Sequence, residues 1–436
     1  MATTYIRRLD GRRPPQGSSS AGRFKSNPMR GGGSSRRTSG DGIHRSSGGR
    51  PSPRQGGGGR GGKRGFQEMQ VDLSRLINKA VPAAETPAYV PEHAFVDFEV
   101  EQALKDNIIS KGYVNPTPIQ DQSIVHVLAG KDIVGMAQTG TGKTAAFLIP
   151  LIDKVLKNAN ERVLIMVPTR ELAIQIEQEF YGFSKRLNLN SVVCVGGAGI
   201  DPQIRVLRRK PAFVIGTPGR LKDLMERREL DLSKFGTVVL DEADRMLDMG
   251  FIPDMRFILG HMPENRHTLF FSATMSREIE NLIGSFLNDP VRVMVKTRDT
   301  ASTIDQDVVR AGRGEEKFNK LVELLKRPDF EKTLVFGRTK FGVERMTRDL
   351  VRSGIRAESI HGDKTHGKRQ KALSLFKADH VDVLVATDVA ARGLDISGVS
   401  HVINYDLPAT YEDYTHRIGR TGRAGKGGMA LTFIDG

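Results

Sequence analysis

Ala137-Gln138-Thr139-Gly140-Thr141-Gly142-Lys143-Thr144 and, about a hundred residues later, Val238-Val239-Leu240-Asp241-Glu242-Ala243-Asp244 decide how this chain is read. A Gly-rich loop that opens a helix aims backbone N–H groups at a phosphate, its lysine supplies a point charge, and the next hydroxyl can sit on a metal ion. Lys143 and Thr144 hold those two places, and Gln138, Thr139, Gly140, Thr141 and Gly142 complete the cradle. An acidic cluster at the end of an apolar strand supplies the other half of such a site, with Asp241 beside Thr144 as a ligand for Mg²⁺. Gly/Thr/Lys clusters also occur as plain turns. The acidic strand end is what argues against that reading.

Outward from these stretches, short apolar runs alternate with helix-like segments. Strands are expected at 132–134, 163–167, 191–195, 213–215, 238–240, 268–271 and 291–295, and again at 333–336, 383–386, 402–405 and 430–433. Continuous apolar strands between helices indicate a parallel sheet covered on both faces, and 436 residues exceed one core. A polar stretch at 296–303 separates the two series. The expectation is two tandem α/β domains, 92–297 and 306–436, joined by a linker at 298–305. Ligands of such sheets bind at the carboxyl ends of strands. The unusual clusters follow strands in both domains, which implies a cleft between them.

Charge is distributed unevenly. Residues 1–65 carry 15 Lys/Arg against Asp10 and Asp41, a net +13 out of +15 for the chain. This segment is rich in Gly, Ser and Arg and nearly devoid of aliphatic residues, so it cannot bury enough apolar surface to offset the entropy of ordering. A disordered tail over 1–75 is expected. Arg30-Gly31-Gly32 and Arg60-Gly61-Gly62 suit single-stranded nucleic acid through phosphate and stacking contacts. A solubility tail and an organelle transit peptide are the alternatives. No apolar run approaches the roughly 18–20 residues of a membrane span, and no secretory signal is present, so a soluble cytoplasmic protein is expected. The single cysteine, Cys194, lies among Val192, Val193 and Val195 and reads as a core thiol; no intrachain disulfide can form.

The loop departs from the general phosphate-loop pattern at Ala137, where that pattern has Gly. Asp241-Glu242-Ala243-Asp244 spells the name of the DEAD-box RNA helicases, and from about Phe95 to its last residue the chain resembles that family, whose loop commonly carries Ala there. The resemblance implies two tandem RecA-like domains, an RNA-stimulated ATPase, and ATP with Mg²⁺ as ligands. Among the branches, the spread of motifs looks closest to the bacterial RhlE-like one.

Thr117-Pro118-Ile119-Gln120 resembles the family's adenine-reading Q motif. The Gln120 amide can bond bidentately to adenine, and the Phe95 ring can stack on the base. Glu242 is expected to orient and deprotonate the attacking water. His416, Arg420 and Arg423 share a face of a helical turn and match the arginine-finger motif, which puts charge on the γ-phosphate from the second domain. Hydrolysis should therefore require closure. Asp395 would reach the ribose, and Asp244, Ser272 and Thr274 look like parts of an interdomain network that couples hydrolysis to strand separation.

Pro168, Arg170, Gly197, Thr217 and Arg220 match the family's RNA-backbone contacts in the first domain, and Arg369, Thr387 and Arg392 match those in the second. Backbone contacts carry no sequence information, so the expected partner is RNA of any sequence, bound by a monomer. Glu171 is expected to brace Arg170 or cap a helix. His366 stands where the family usually has Gln. Family members usually continue past the position of Gly436 through a further helix, so a clipped second domain and an absent downstream tail both stand as expectations. The function expected is an ATP-dependent RNA helicase that pries apart short duplexes or remodels RNA–protein complexes. A DNA helicase and an ATP-gated RNA clamp are the alternatives.

Overall fold

The structure, a computed structural model, describes residues 76–79, 89–138, 140–295, 304–391, 396, 398–422 and 427–436. The expected tail at 1–75 lies outside these residues, as do 296–303, which hold most of the expected linker.

In the first lobe the elements run α1 (Gln102–Ser110), α2 (Pro118–Leu128), β1 (Ile133–Met136), α3 (Lys143–Lys157), β2 (Val163–Met166), α4 (Arg170–Phe183), β3 (Ser191–Cys194), α5 (Ile200–Leu207), β4 (Phe213–Gly216), α6 (Pro218–Glu226), β5 (Thr237–Leu240), α7 (Ala243–Asp248), α8 (Ile252–Gly260), β6 (His267–Ser272), α9 (Arg277–Phe286) and β7 (Val291–Met294). The second lobe follows with β8 (Ile304–Ala311), α10 (Glu315–Leu325), β9 (Thr333–Phe336), α11 (Lys340–Arg352), β10 (Ala357–Ile360), α12 (His366–Lys377), β11 (Val383–Ala386), α13 (Asp388–Ala391), β12 (His401–Asn404), α14 (Tyr411–Ile418) and β13 (Gly428–Asp435). Two strands, β8 and β10, were not expected from the sequence, and β8 begins at Ile304, inside the segment assigned to the linker.

Successive strand residues point to opposite faces, so each strand feeds two cores. Ile133, Val163 and Ile165 pack on one face of the first sheet, while Val134, Leu164 and Met166 pack on the other. The second lobe repeats the arrangement, with Val335, Val383 and Val385 on one face and Leu334, Phe336 and Leu384 on the other. Burial of each such side chain stabilises by about 1.5–3 kcal/mol. Cys194 is fully buried at the end of β3, and burial pushes its thiol up to about 12.

Strand order matters most for function. The first sheet runs β3-β4-β2-β5-β6-β1-β7 and the second β10-β11-β9-β12-β13-β8, with every ladder parallel. In the first sheet the loops after β5, β6 and β1 therefore emerge side by side, and those after β3, β4 and β2 emerge on the other half of the same edge. The nucleotide candidates fall on the first half and the RNA candidates on the second. A short segment at 76–79 docks on β8 through an isolated antiparallel bridge between Asn78 and Gln306. No helix among the described residues is long and apolar enough to cross a membrane.

Candidate nucleotide and nucleic-acid site

The loop after β1 is shaped by glycine. Gly140 and Gly142 have φ of +86° and +95°, conformations that side chains with a Cβ rarely adopt. A Cβ on Gly142 would also collide with the Gln120 amide and crowd the Thr117 hydroxyl. The loop is tied from outside: Thr117 Oγ1 donates to Thr141 O at 2.7 Å, and Gln120 Nε2 donates to Gly142 O at 3.1 Å. Thr141 Oγ1 donates to Gln138 O. Thr139 lies outside the described residues. Gln120 also accepts from Thr117 N at 2.9 Å, within a capping box at the start of α2. The amide expected to read adenine thus braces the phosphate loop here.

Lys143 opens α3, and Thr144 follows it, half-buried. Lys143 Nζ is buried, has no hydrogen-bond partner among the described residues, and lies 3.7 Å from Asp241 Oδ1. A buried ammonium without a hydrogen bond is costly. The loop supplies what an anion needs beside it: a cation and a glycine cradle at a helix N-terminus.

Asp241 leaves β5 fully buried. Burial, with Glu242 and Asp244 nearby, pushes its carboxyl up to about 6, against the pull of Lys143 and the Glu242 N–H. Glu242 adopts φ +52°, a left-handed conformation at the N-cap of α7. Burial acts to raise its carboxyl too. The Arg245 guanidinium outweighs that, joined by Lys143 and Arg420, and holds the carboxyl below the usual range. Arg245 Nη1 donates to Glu242 Oε2 at 2.6 Å. Sequence reasoning missed this partner, although its i,i+3 spacing on α7 was visible.

Arg420 belongs to the second lobe and is near enough to Glu242 for its charge to favour the carboxylate. It follows α14, is buried, and donates from Nε to His416 O at 3.3 Å. The helix is held by Arg417, which forks onto both Asp388 oxygens and donates to Asn404 and Asp406 O. That anchor was also missed. Asp395, Arg392 and Arg423 lie outside the described residues.

Two expectations at this half of the site are corrected. Phe95 is 1% exposed, its ring edge-on to Phe98 and Tyr113 in the core of the first lobe, so it presents no face to a base. Asp244 accepts from Ala273 N, Thr274 N and Thr274 Oγ1 at 3.0, 3.0 and 3.3 Å, and Ser272 Oγ donates to Thr274 O. These bonds join the loops after β5 and β6 of one lobe. They do not cross between lobes.

On the other half, Pro168 is buried, and Arg170 starts α4 with its guanidinium lying over Gly197, whose φ is +71°. Any Cβ there would overlap that guanidinium. Thr217 stands at the N-cap position of α6, and Arg220 donates to Gln203 Oε1 at 3.0 Å and to Ala198 O. Thr387 N donates to Ile360 O at the end of β11.

The remaining expectations on this half change. Arg369 Nε lies 2.8 Å from Glu171 Oε1, with both side chains buried. The approach falls off the hydrogen-bond line, so this is an ion contact between lobes. Arg369 is therefore held by Glu171 and does not stand open to a phosphate, and Glu171, in the first turn of α4, acts on Arg170 as well. His366 opens α12 in the same cluster. Burial lowers its pKa, and Arg170 and Arg369 add to that against Glu171.

A family model described as DEAD/DEAH box helicase matches residues 117–282, and one described as Helicase conserved C-terminal domain matches 316–425. The chain belongs to the DEAD-box helicases. It is 48% identical over 342 residues to the ATP-dependent RNA helicase CshA of Limosilactobacillus reuteri, covering 78% of this chain and 69% of that one. The DEAD-box ATP-dependent RNA helicase CshA of Bacillus licheniformis matches at 48% identity over 342 residues, with 78% and 70% covered. These relatives do not single out the RhlE-like branch. Among solved structures, S. cerevisiae Dbp5 bound to RNA and ADP BeF3 superposes with a TM-score of 0.70 at 28% identity, covering 79% of this helicase and 90% of that chain. Mss116p bound to ssRNA and AMP-PNP superposes at 0.71 and 28%, covering 81% and 77%. The helicase is an ATP-dependent RNA helicase with two parallel-sheet α/β domains of the RecA-like kind.

Proposed function

We propose that this helicase hydrolyses ATP only when RNA brings its two lobes together, and that it uses this cycle to open short duplexes or remodel RNA–protein complexes locally. The observation that carries the reading is that the two lobes meet at the strand ends that carry the motifs, where Arg369 of the second lies 2.8 Å from Glu171 of the first. Lys143 and the loop amides bind and orient the triphosphate. Glu242 takes the proton of the attacking water once the Arg245 pairing loosens. Arg420, with His416 and Arg423, places positive charge on the γ-phosphate. An arginine finger is worth about 10³–10⁵ in rate, so the open enzyme should be nearly idle.

Thr144 and Asp241 would hold Mg²⁺, which would supply charge neutralisation across the phosphates when bound. The buried ammonium of Lys143 and the acid pair of Asp241 and Glu242 suit such a charge arrangement.

RNA binding follows from the candidates on the β3-β4-β2 half: arginine, threonine and glycine amides, the chemistry of backbone contact. Sequence-independent binding by a monomer in the cytoplasm completes the proposal. Steady-state ATP hydrolysis with no nucleic acid, single-stranded RNA, or single-stranded DNA of one sequence tests it. RNA-selective stimulation is expected. Equal stimulation by DNA would make this a general nucleic-acid motor, and hydrolysis that ignores both would remove the closure mechanism.

A further inference from the structure

The segment at 76–79 precedes the first lobe in sequence yet packs on the second. Leu76 is fully buried against Ile304, Tyr414, Ile418 and Ala430, with Val308 and Leu407 beside them. Ile77 points outward at 50% exposure, the alternation of a strand. Asn78 N donates to Gln306 O at 3.0 Å, and Gln306 N donates to Asn78 O at 2.7 Å. Gln306 is itself buried, and its Oε1 accepts from Tyr414 Oη at 2.9 Å.

Tyr414 and Ile418 are four apart on α14 and form one face of the helix. The same helix carries His416 and leads directly into Arg420. Arg417 holds it through Asp388, Asn404 and Asp406, and Thr421 Oγ1 donates to Val399 O and Ser400 O just beyond it. The face formed by Tyr414 and Ile418 packs on Leu76 together with Ile304 and Ala430. A continuous path of contacts therefore runs from residues 76–79 through Gln306 and Tyr414 along α14 to Arg420.

We infer that residues 76–79 are a positioning element for hydrolysis: docked on β8, they seat the Tyr414 and Ile418 face of α14 and so set the reach of Arg420. The four residues lie on the second lobe, beside β8 and α14. They act through α14, and their loss shows in turnover and not in binding of ATP, whose candidate cradle lies in the first lobe. The inference rests on the closure mechanism proposed above.

The test uses the full chain with saturating RNA. Leu76→Asp puts a charge in the apolar seat, and Asn78→Pro deletes the donor of the bridge. Both changes fall outside the strands of the sheet, which the segment meets at an isolated bridge. A misplacement of about 1 Å can cost on the order of 10²-fold in rate, so kcat should fall by roughly ten- to a hundredfold in both variants. KM for ATP should be unchanged, and Leu76→Ile should keep the wild-type kcat. Wild-type kcat in Leu76→Asp and Asn78→Pro, or a fall in kcat matched by a rise in KM for ATP, overturns the inference. If the unaltered chain shows no RNA-stimulated hydrolysis, the closure mechanism fails and the inference fails with it. Stimulation intact in the unaltered chain and in both variants overturns this inference alone.

Discussion

Glu171 on α4 meets Arg369 on α12 across the two lobes, 2.8 Å apart and both buried. Separating the lobes returns both charges to water. Removing one partner leaves the other uncompensated only in the closed state. Breaking a buried pair this way costs about 3–5 kcal/mol, whereas replacing both partners costs much less. Arg369→Met should therefore raise the RNA concentration needed for half-maximal ATPase more than the double variant Glu171→Gln/Arg369→Met does. A double-mutant cycle on RNA-stimulated turnover measures the coupling. Additive effects would mean that the contact does not form during closure.

Lys143 and Glu242 should fail in different ways. Lys143→Ala removes the cation beside the phosphates and should abolish turnover together with tight ATP binding. Glu242→Gln keeps shape and burial but removes the base, so ATP and RNA should still bind while hydrolysis falls by roughly 10²–10⁴-fold. Equilibrium binding of a fluorescent nucleotide, measured beside turnover, separates the two. Rapid release of both ligands by Glu242→Gln would count against its role as base.

Gly142→Ala should weaken ATP binding without unfolding the lobe. A Cβ at φ +95° is strained and strikes the Gln120 amide that braces the loop. Strain of this kind costs about 1–3 kcal/mol, roughly a 5- to 150-fold loss of affinity. Gln120→Ala relieves the collision but not the backbone strain, so the double variant should recover only part of the loss. Nucleotide titration of the three variants checks this.

Acidification should destabilise the fold before it protonates ordinary carboxylates. Burial lowers the pKa of His267, His366 and His401 below the usual value of 6.5. The unfolded chain takes up protons near pH 6.5, where these three folded-state imidazoles still resist them. Their contribution is thus fully present above about pH 6.5 and is lost as pH falls through the lowered folded values. Melting temperature measured from pH 8 to pH 5 should be flat at the upper end and decline below about 6.5. His267→Gln, at the start of β6, should shallow the decline.

Legibility followed burial. Strands β2, β5, β9 and β11 are interior to their sheets, and runs such as Val163-Leu164-Ile165-Met166 announce themselves because both faces are covered. The two missed strands, β8 and β10, are the edges of the second sheet. Ile304-Asp305-Gln306-Asp307 reads as polar linker because an edge strand keeps part of its surface in water. In the candidate site, motif residues could be read one by one, but their pairings could not. Glu171 and Arg369 are far apart in sequence, and only the strand order with the meeting of the lobes brings them together. Phe95 was misjudged because an aromatic at a given spacing suits a core as well as a base, and the core took it.

The docking of residues 76–79 on β8 also changes how the halves of this chain are joined. The chain runs from β8's edge through 80–88 into the first lobe, and returns through 296–303 to the second. Ten residue steps separate Lys79 from Tyr89, a span of at most about 33–36 Å. The lobes thus form a closed circuit, with one covalent link and one clasp made by Leu76 and Asn78. A chain severed between Val295 and Ile304 would still carry the clasp between its two halves.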